Sequence, residues 1–212
     1  MNHTHFRASG LLLILSAITF WLSWSLMPDQ GTADVNHILA VVKEHRNFVL
    51  ASVIAQIVSS VLYSTAVIFL AKTSEHSKLT TAGIILLNIG AMGMCADAFF
   101  HLLAYYMTDA SVTIESNIVA VMTFMQTGGL IFLVPLLLPF FLGTTLMAIG
   151  MKKQTMISAV PSTIIYAAWI TAVLGGVIVN KFFPEGRSLL VLTTLGLFAL
   201  GQITTGIELN RK

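Results

Sequence analysis

The chain has 212 residues, of which 56% are hydrophobic and only 9% are charged. Soluble domains carry about 25% charged residues, so this composition excludes an ordinary soluble domain and indicates an integral membrane protein. The net charge of +2 is not concentrated in a basic block, which excludes a nucleic-acid-binding surface. The single cysteine, Cys95, excludes an intramolecular disulfide and a CxxC metal or redox site.

Six apolar windows follow one another along the chain. A transmembrane helix needs about 20 mostly apolar residues to cross a hydrocarbon core of roughly 30 Å. Windows of this kind lie at residues 10–27, 48–71, 80–106, 129–150, 156–179 and 188–207. The first window lacks a small-x-small cleavage motif, so we interpret it as an uncleaved span and not as a signal peptide. The sequence predicts a single all-α membrane domain over residues 1–212, built as a six-transmembrane-helix bundle.

The segment after the first window is amphipathic. Within residues 33–46, "ADVNHILAVVKEHR", the apolar residues Val35, Ile38, Leu39 and Val42 recur at helical spacing. This pattern is typical of a short helix that lies in the membrane interface. We therefore predict an interfacial helix between the first two spans, on the outer face.

The apolar stretch over residues 117–150 is too long for one span and too short for two. Gly128 and Gly129 interrupt it, and Pro135 and Pro139 follow. These residues predict a kinked fourth span, preceded at residues 117–128 by a segment that is either interfacial or re-entrant.

The distribution of Lys and Arg predicts the orientation, because cytoplasmic loops retain an excess of positive charge. With the N-terminus inside, seven of these residues lie on the inner side and four on the outer side. The sequence therefore predicts a multi-pass protein with both termini cytoplasmic. Membrane lipids are its expected partners, and the sequence is compatible with either a monomer or an oligomer.

The third window contains an unusual polar stretch, "CADAFFHLLAYYM". Gly90, Gly93, Asp97, His101 and Ala104 share one helical face, and small residues on such a face allow helices to pack closely. Placing an aspartate near the middle of a span costs about 2.5 to 3.5 kcal/mol. The face is therefore expected to point into the bundle, where the carboxyl group can find a partner.

A polar stripe on the second span provides that partner. Ser52, Gln56, Ser59 and Tyr63 recur at helical spacing. At about 1.5 Å per residue, Gln56 lies roughly 12 Å below the outer interface, close to the depth of Asp97. The sequence predicts that they meet in a polar pocket in the outer half of the membrane.

The predicted pocket consists of Asp97, His101, Gln56, Ser52 and Tyr63, with His101 nearest the outer surface beside Ser52. Asp97 would be protonated, paired with a protonated His101, or in contact with water or a cation. The leading hypothesis is a non-catalytic protein that binds or passes a small ligand, an ion or a proton there. An Asp97 that only bonds Gln56 and fixes the helix register, as in an accessory or assembly subunit, is the simpler alternative.

A metal site is the second alternative. Imidazole and carboxylate groups suit zinc, and His37, Glu44, His45 and His101 are all assigned to the outer side. They would serve a membrane-embedded metal-dependent hydrolase or lipid enzyme. The chain has no HExxH or HxxxH ligand pair, and no other cofactor is implied.

Residues 26–63, "LMPDQGTADVNHILAVVKEHRNFVLASVIAQIVSSVLY", resemble the corresponding part of an uncharacterised family of bacterial multi-span integral membrane proteins. The similar elements are the Met-Pro-Asp exit from the first span, the Thr-Ala-Asp entry to the interfacial helix, Arg46, and the Ala-Ser-Val-x-x-Gln start of the second span. The resemblance implies a setting in the bacterial inner membrane. It carries no activity and no site residues.

Overall fold

A computed structural model describes residues 3–30, 34–73, 76–112 and 116–212, and these ranges contain helices and connecting turns but no strand. The helices are α1 (His3–Leu26), α2 (Val35–Glu44), α3 (Arg46–Ala71), α4 (Lys78–Met107), α5 (Ser116–Gln126), α6 (Leu130–Lys153), α7 (Val160–Ile170), α8 (Gly176–Phe182) and α9 (Arg187–Asn210). A π-helical turn, Thr171–Gly175, joins α7 to α8, and a 3-10 turn, Pro184–Gly186, precedes α9.

Six of the helical stretches are long and apolar enough to cross a membrane, which confirms the predicted all-α polytopic fold class. They are α1, α3, α4, α6, the continuous α7–α8 helix, and α9 with its preceding turn. Helix α1 begins at His3, well before the predicted start at residue 10, because Phe6 and Ser9 are already buried in the bundle. The fifth span begins at Val160, later than predicted, after a turn in which Thr155 has a φ of 55°.

The six long helices form a closed ring. Going around it, α1 packs on α3, α3 on α4, α4 on α6, α6 on α7, α7 on α9, and α9 on α1. The centre is filled by fully buried aromatic side chains, among them Phe20, Tyr63, Phe140 and Phe198. The α7–α8 helix has the smallest buried share of the six, so it is the most lipid-exposed wall of the ring.

Serine hydroxyls join α1 to α3. The residues involved repeat at intervals of seven on both helices, as Ser9, Ser16 and Ser23 on α1 and as Ser52, Ser59 and Ala66 on α3. Ser59 donates to the carbonyl oxygen of Ser16 at 2.9 Å, and Ser52 donates to that of Ser23 at 2.7 Å. Ser9 donates to Ala66 at 2.9 Å. We call this contact the serine seam. A strict seven-residue repeat keeps one face of each helix against the other along their length.

Glycines let α4 and α6 pack backbone to backbone. A Cβ atom built at Gly83 would collide with the backbone of Met147, and one at Gly90 would collide with that of Phe140. Gly143 on α6 is equally close to the backbone of Leu87. We call this contact the glycine seam, and it fixes the rotation of α4 about its axis.

Helices α2 and α5 lie together at one end of the bundle, and we call them the cap. Asp34 begins α2, where its carboxylate accepts hydrogen bonds from the backbone N–H groups of Asn36 and His37. The apolar face of α2 buries Leu39 and Val42 against a cluster that includes Met122 and Met125 of α5. The predicted short helix after the first span is thus present.

The segment at residues 117–128 forms α5, a separate short helix that contacts α2 and α4, followed by a turn into α6. It therefore lies at the capped end of the bundle. Helix α6 continues through Pro135 and Pro139 as one uninterrupted helix.

Candidate functional site

A buried carboxyl–amide pair lies where α3 crosses α4. Gln56 Nε2 donates a hydrogen bond of 2.7 Å to Asp97 Oδ2, and both side chains are buried, with Asp97 only 7% exposed. The glycine seam turns Gly90 and Gly93 toward α6, and the same rotation brings Asp97 to the edge that α3 covers. Asp97 and Gln56 are therefore in direct contact.

His101 lies one helical turn beyond Asp97. Its Nδ1 atom is 3.8 Å from Asp97 Oδ2, which is too long for a hydrogen bond but within reach of an ion pair. This nitrogen is enclosed and has no hydrogen-bond partner among the described residues. The Trp24 ring meets the imidazole edge-on, with centroids 6.4 Å apart. The imidazole is thus held between Asp97 and an aromatic ring of α1.

The remaining polar atoms of Asp97 and His101 are not enclosed. Asp97 Oδ1 and His101 Nε2 take part in no hydrogen bond with the described residues, and neither is among the enclosed unpartnered atoms. Both residues line the same pocket. Oδ1 and Nε2 are therefore the polar atoms of Asp97 and His101 that remain available for a hydrogen bond to a ligand.

The pocket has a volume of about 210 Å³ and lies beneath the cap. Its apolar lining comes from α2, α4, α5 and the start of α6, and includes Phe100, Met122, Met125 and Leu133. Its polar lining residues are Trp24, Asp29, Gln30, Asp97, His101 and Gln126. The cap and the end of α1 thus enclose a space that a plain ring of six helices would leave open.

The pocket lining carries two carboxyl groups, Asp29 and Asp97, and no Lys or Arg among its residues. Asp29 is at the edge of the pocket, in a left-handed conformation with a φ of 49°, and its carboxylate contacts His37 Nε2. The lining of the pocket is therefore acidic.

The nearest basic residue on α3, Arg46, is occupied elsewhere. It donates from one guanidinium nitrogen to the Tyr105 carbonyl and from the other to Asp109, each at 2.9 Å. Its guanidinium also lies 4.1 Å from the centre of the Tyr105 ring. Hydrogen bonds from Ser111 lower the pKa of the Asp109 carboxyl, with a smaller contribution from the Arg46 charge. This clamp ties the start of α3 to the end of α4.

Of the five residues predicted for the site, Asp97 and His101 line the pocket, and Gln56, Ser52 and Tyr63 do not. The Ser52 hydroxyl donates to the carbonyl oxygen of Ser23 in the serine seam. Tyr63 donates to Gln202 Oε1 in the centre of the bundle. The reason is that α3 lies between α1 and α4, so its polar stripe is divided between two neighbouring helices.

The residues proposed for a metal site do not converge. His37 contacts Asp29, the His45 ring packs against Phe48, and Glu44 is exposed at the end of α2. Within residues 3–30, 34–73, 76–112 and 116–212, no group of three His, Cys, Asp or Glu side chains is arranged to hold a metal ion. The metal-dependent alternative gains no support from this part of the chain.

Sequence reasoning missed the α1 contribution to the site. Trp24, Asp29 and Gln30 all line the pocket, and none of them was predicted for the site. The Gln30 amide donates to the carbonyl oxygens of Trp24 and Met27 and accepts from Ser188. The seven-residue serine repeat is the signal that would have placed the end of α1 beside α3, and hence beside the pocket.

A second buried polar group closes the centre of the bundle beyond the pocket. Gln202 accepts from Tyr63 and donates to Thr144 Oγ1 at 2.6 Å, which connects α3, α9 and α6. All three side chains are fully buried. Their hydrogen bonds are made to one another, so this group has the character of a packing contact.

Comparison of the chain with protein-family models, with curated proteins and with solved structures gives no match. The functional interpretation therefore depends on the geometry of the pocket itself.

Proposed function

We propose that this chain is an integral membrane protein that binds a small ligand in the capped pocket, through Asp97 Oδ1 and His101 Nε2. The observation that supports this proposal most directly is a cavity of about 210 Å³ lined by Asp97 and His101, whose Oδ1 and Nε2 atoms have no hydrogen-bond partner among the described residues. The same feature could serve proton or ion binding, but the size of the cavity favours a molecule.

The hydrogen bonding of Asp97 distinguishes binding from a role in helix packing. An ionised carboxylate has about four acceptor sites, and buried polar groups are normally satisfied. Gln56 supplies one hydrogen bond to Oδ2. The serine seam shows how this fold makes polar contacts that serve packing alone, since each of its hydroxyls bonds a backbone carbonyl in a closed interface. Asp97 faces a cavity, which favours binding.

The filling of the bundle favours binding over passage. Beyond the pocket, the centre of the ring is occupied by Phe20, Tyr63, Phe140 and Phe198, each at most 1% exposed. Close-packed interiors hold few voids as large as a water molecule. We therefore propose a site that is reached from the capped end only.

We also propose a cellular setting, which rests on the sequence. The excess of Lys and Arg on one side of the chain supports cytoplasmic termini, and the resemblance over residues 26–63 supports the inner membrane of a bacterium. In that orientation the pocket opens toward the outer side. Reporter fusions at Lys153 and Ser111 test it, since they should report inside and outside respectively. The reverse result would move the pocket to the cytoplasmic face.

The binding proposal is tested by blocking the pocket. Leu130 lines it and is 38% exposed at the start of α6, whereas its neighbour Ile131 is 72% exposed and does not line it. In Leu130→Trp the larger side chain should fill the pocket, and Ile131→Trp is the matched control in which the same side chain faces away from it.

The purified protein in detergent is titrated with three probes that share one ring and spacer: 2-phenylethylamine, 2-phenylethanol and 3-phenylpropionate. Saturation-transfer NMR reports their binding. At least one probe should bind the wild type and the Ile131→Trp protein and fail to bind the Leu130→Trp protein. If none binds, or if Leu130→Trp binds as the wild type does, the proposed function is wrong.

A further inference from the structure

We infer that the pocket takes an organic cation, namely an ammonium group carried on an apolar ring or short chain. This inference rests on the proposed function and adds the chemical class of the ligand. Three features of the pocket support it: the charge of its lining, the kind of hydrogen-bonding atoms that it presents, and its size.

The charge of the lining favours a cation. Asp29 and Asp97 both line the pocket, and the lining contains no Lys or Arg. Arg46 is held by Tyr105 and Asp109 outside it. Like charges repel each other more strongly in a partly buried cavity than in bulk water. An anionic ligand would face repulsion from these carboxylates with no Lys or Arg in the lining to offset it.

The hydrogen-bonding atoms favour a ligand that donates. The Gln56 amide is already bonded to Asp97, and Trp24 Nε1 is enclosed. In a neutral imidazole with its proton on Nδ1, the nitrogen 3.8 Å from Asp97 Oδ2, Nε2 is an acceptor. Asp97 Oδ1 is the second acceptor. A primary ammonium group supplies three N–H donors and a positive charge, which matches both atoms.

The size and walls of the pocket favour an organic ligand over an inorganic ion. Protein metal sites supply about four to eight ligand atoms around the ion. In the described ranges, not even three Asp, Glu, His or Cys side chains are grouped so that they could hold a metal ion. A cavity of roughly 150 Å³ admits benzene, so one of about 210 Å³ takes a ring with a short polar arm. Phe100 and Trp24 lie in the lining, where an aromatic face attracts a cation.

The three phenyl probes decide the question on the wild-type protein, because they differ in the charge of the head group and little in size. Isothermal titration calorimetry should give 2-phenylethylamine a dissociation constant lower than that of 2-phenylethanol by about tenfold or more, since hydrogen bonds between charged groups are stronger than those between neutral ones. No binding of 3-phenylpropionate is expected.

A pair of variants then assigns the preference to Asp97. In Asp97→Asn the amine should bind about tenfold more weakly, while 2-phenylethanol keeps its affinity within about twofold. Asp109→Asn is the matched control, because it removes a carboxylate at the same end of the bundle but outside the pocket. It should retain the wild-type preference for the amine.

The outcomes separate this inference from the proposed function. If 2-phenylethanol binds the wild type as tightly as the amine, and Leu130→Trp abolishes both, the pocket binds ligands but the inference of a cation is wrong. An amine preference that survives in Asp97→Asn overturns the assignment of the ammonium group to Asp97. If no probe binds, both proposals fail. Should Asp97→Asn not fold, the comparison of the three probes on the wild type still decides.

Discussion

The two halves of α4 are built in opposite ways. In the first half, Gly83 and Gly90 let the backbone of α6 approach so closely that no Cβ atom fits between the helices. In the second half, Phe100 and Leu133 project from the same two helices into the wall of the pocket, and a cavity remains between the elements. One helix thus provides both the tightest contact of the fold and the wall of its binding site.

This comparison shows that the size of the side chains along α4 decides between close helix packing and a cavity. Small residues remove the space between helices, and large apolar residues beyond them restore it. Because Asp97 lies just past Gly93, its carboxyl group stands where the close contact ends and the cavity begins. The glycine seam is therefore expected to hold the site in place without touching it.

The largest effect is expected from breaking the tight half. In Gly90→Val the new side chain would collide with the backbone of Phe140, which cannot move away without displacing α6. Overpacking costs about 1 to 3 kcal/mol and occasionally more, and a backbone collision belongs at the upper end. Reversible unfolding in mixed micelles measures the loss. Met92→Val is the control, because Met92 is 63% exposed. This substitution should change the free energy of unfolding by less than about 0.5 kcal/mol. Equal losses in both variants would contradict the packing account.

A smaller effect is expected at the boundary between the two halves. Gln56→Leu removes the donor to Asp97 Oδ2 and leaves a buried polar group unsatisfied, which costs about 1 to 3 kcal/mol. Combining it with Asp97→Ala, which removes the acceptor, in a double-mutant cycle should show a coupling energy of about 0.5 to 3 kcal/mol, because the residues are in contact. A coupling energy of zero would mean that the hydrogen bond contributes nothing to stability.

The serine seam should respond more weakly than either region of α4. Interhelical hydrogen bonds in membranes contribute about 0.6 kcal/mol on average. Ser59→Ala removes the bond to the Ser16 carbonyl and should lower the free energy of unfolding by about that amount. Ser60→Ala is the matched control, since the Ser60 hydroxyl bonds the Gln56 carbonyl within the same helix. A larger loss in Ser60→Ala than in Ser59→Ala would contradict the assignment of the seam.

The smallest effect is expected at the clamp near the pocket. The pKa of Asp109 is lower in the folded protein than in the unfolded chain, so its contribution to stability is present above the unfolded value and is lost as the pH falls through the folded value. Asp109→Asn should therefore lower the thermal midpoint slightly at about pH 7 and by less at about pH 3. If the difference in thermal midpoint between the wild type and Asp109→Asn grew as the pH fell, the prediction would be wrong.

Much of the fold follows from apolar length and helical spacing. The six long helices and α2 were predicted because each carries a continuous apolar run or an amphipathic stripe of its own. The contact between Gln56 and Asp97 was predicted because both side chains lie at similar depth in consecutive helices. Depth is a local property that the rise per residue supplies.

What the sequence did not reveal depends on how helices are arranged around the ring. Ser52 and Gln56 are one turn apart on α3, yet Ser52 faces α1 and Gln56 faces α4, because α3 lies between them. The roles of Asp29 and Gln30 depend on the path of a loop and on α9, which is distant in sequence. Spacing within one helix cannot determine which neighbour covers each side of it.

The contacts of Gln30 have a consequence for how a ligand enters. Its hydrogen bonds fasten the wall beside Asp29 to the end of α1 and to Ser188 at the start of α9. The opposite wall is held by apolar contacts, in which Leu39 and Val42 of α2 pack beside Met122 of α5. Apolar contacts are non-directional, and methionine side chains adapt readily to new neighbours. We therefore expect a ligand to enter and leave when α2 slides over α5, while the wall formed by the end of α1 stays fixed.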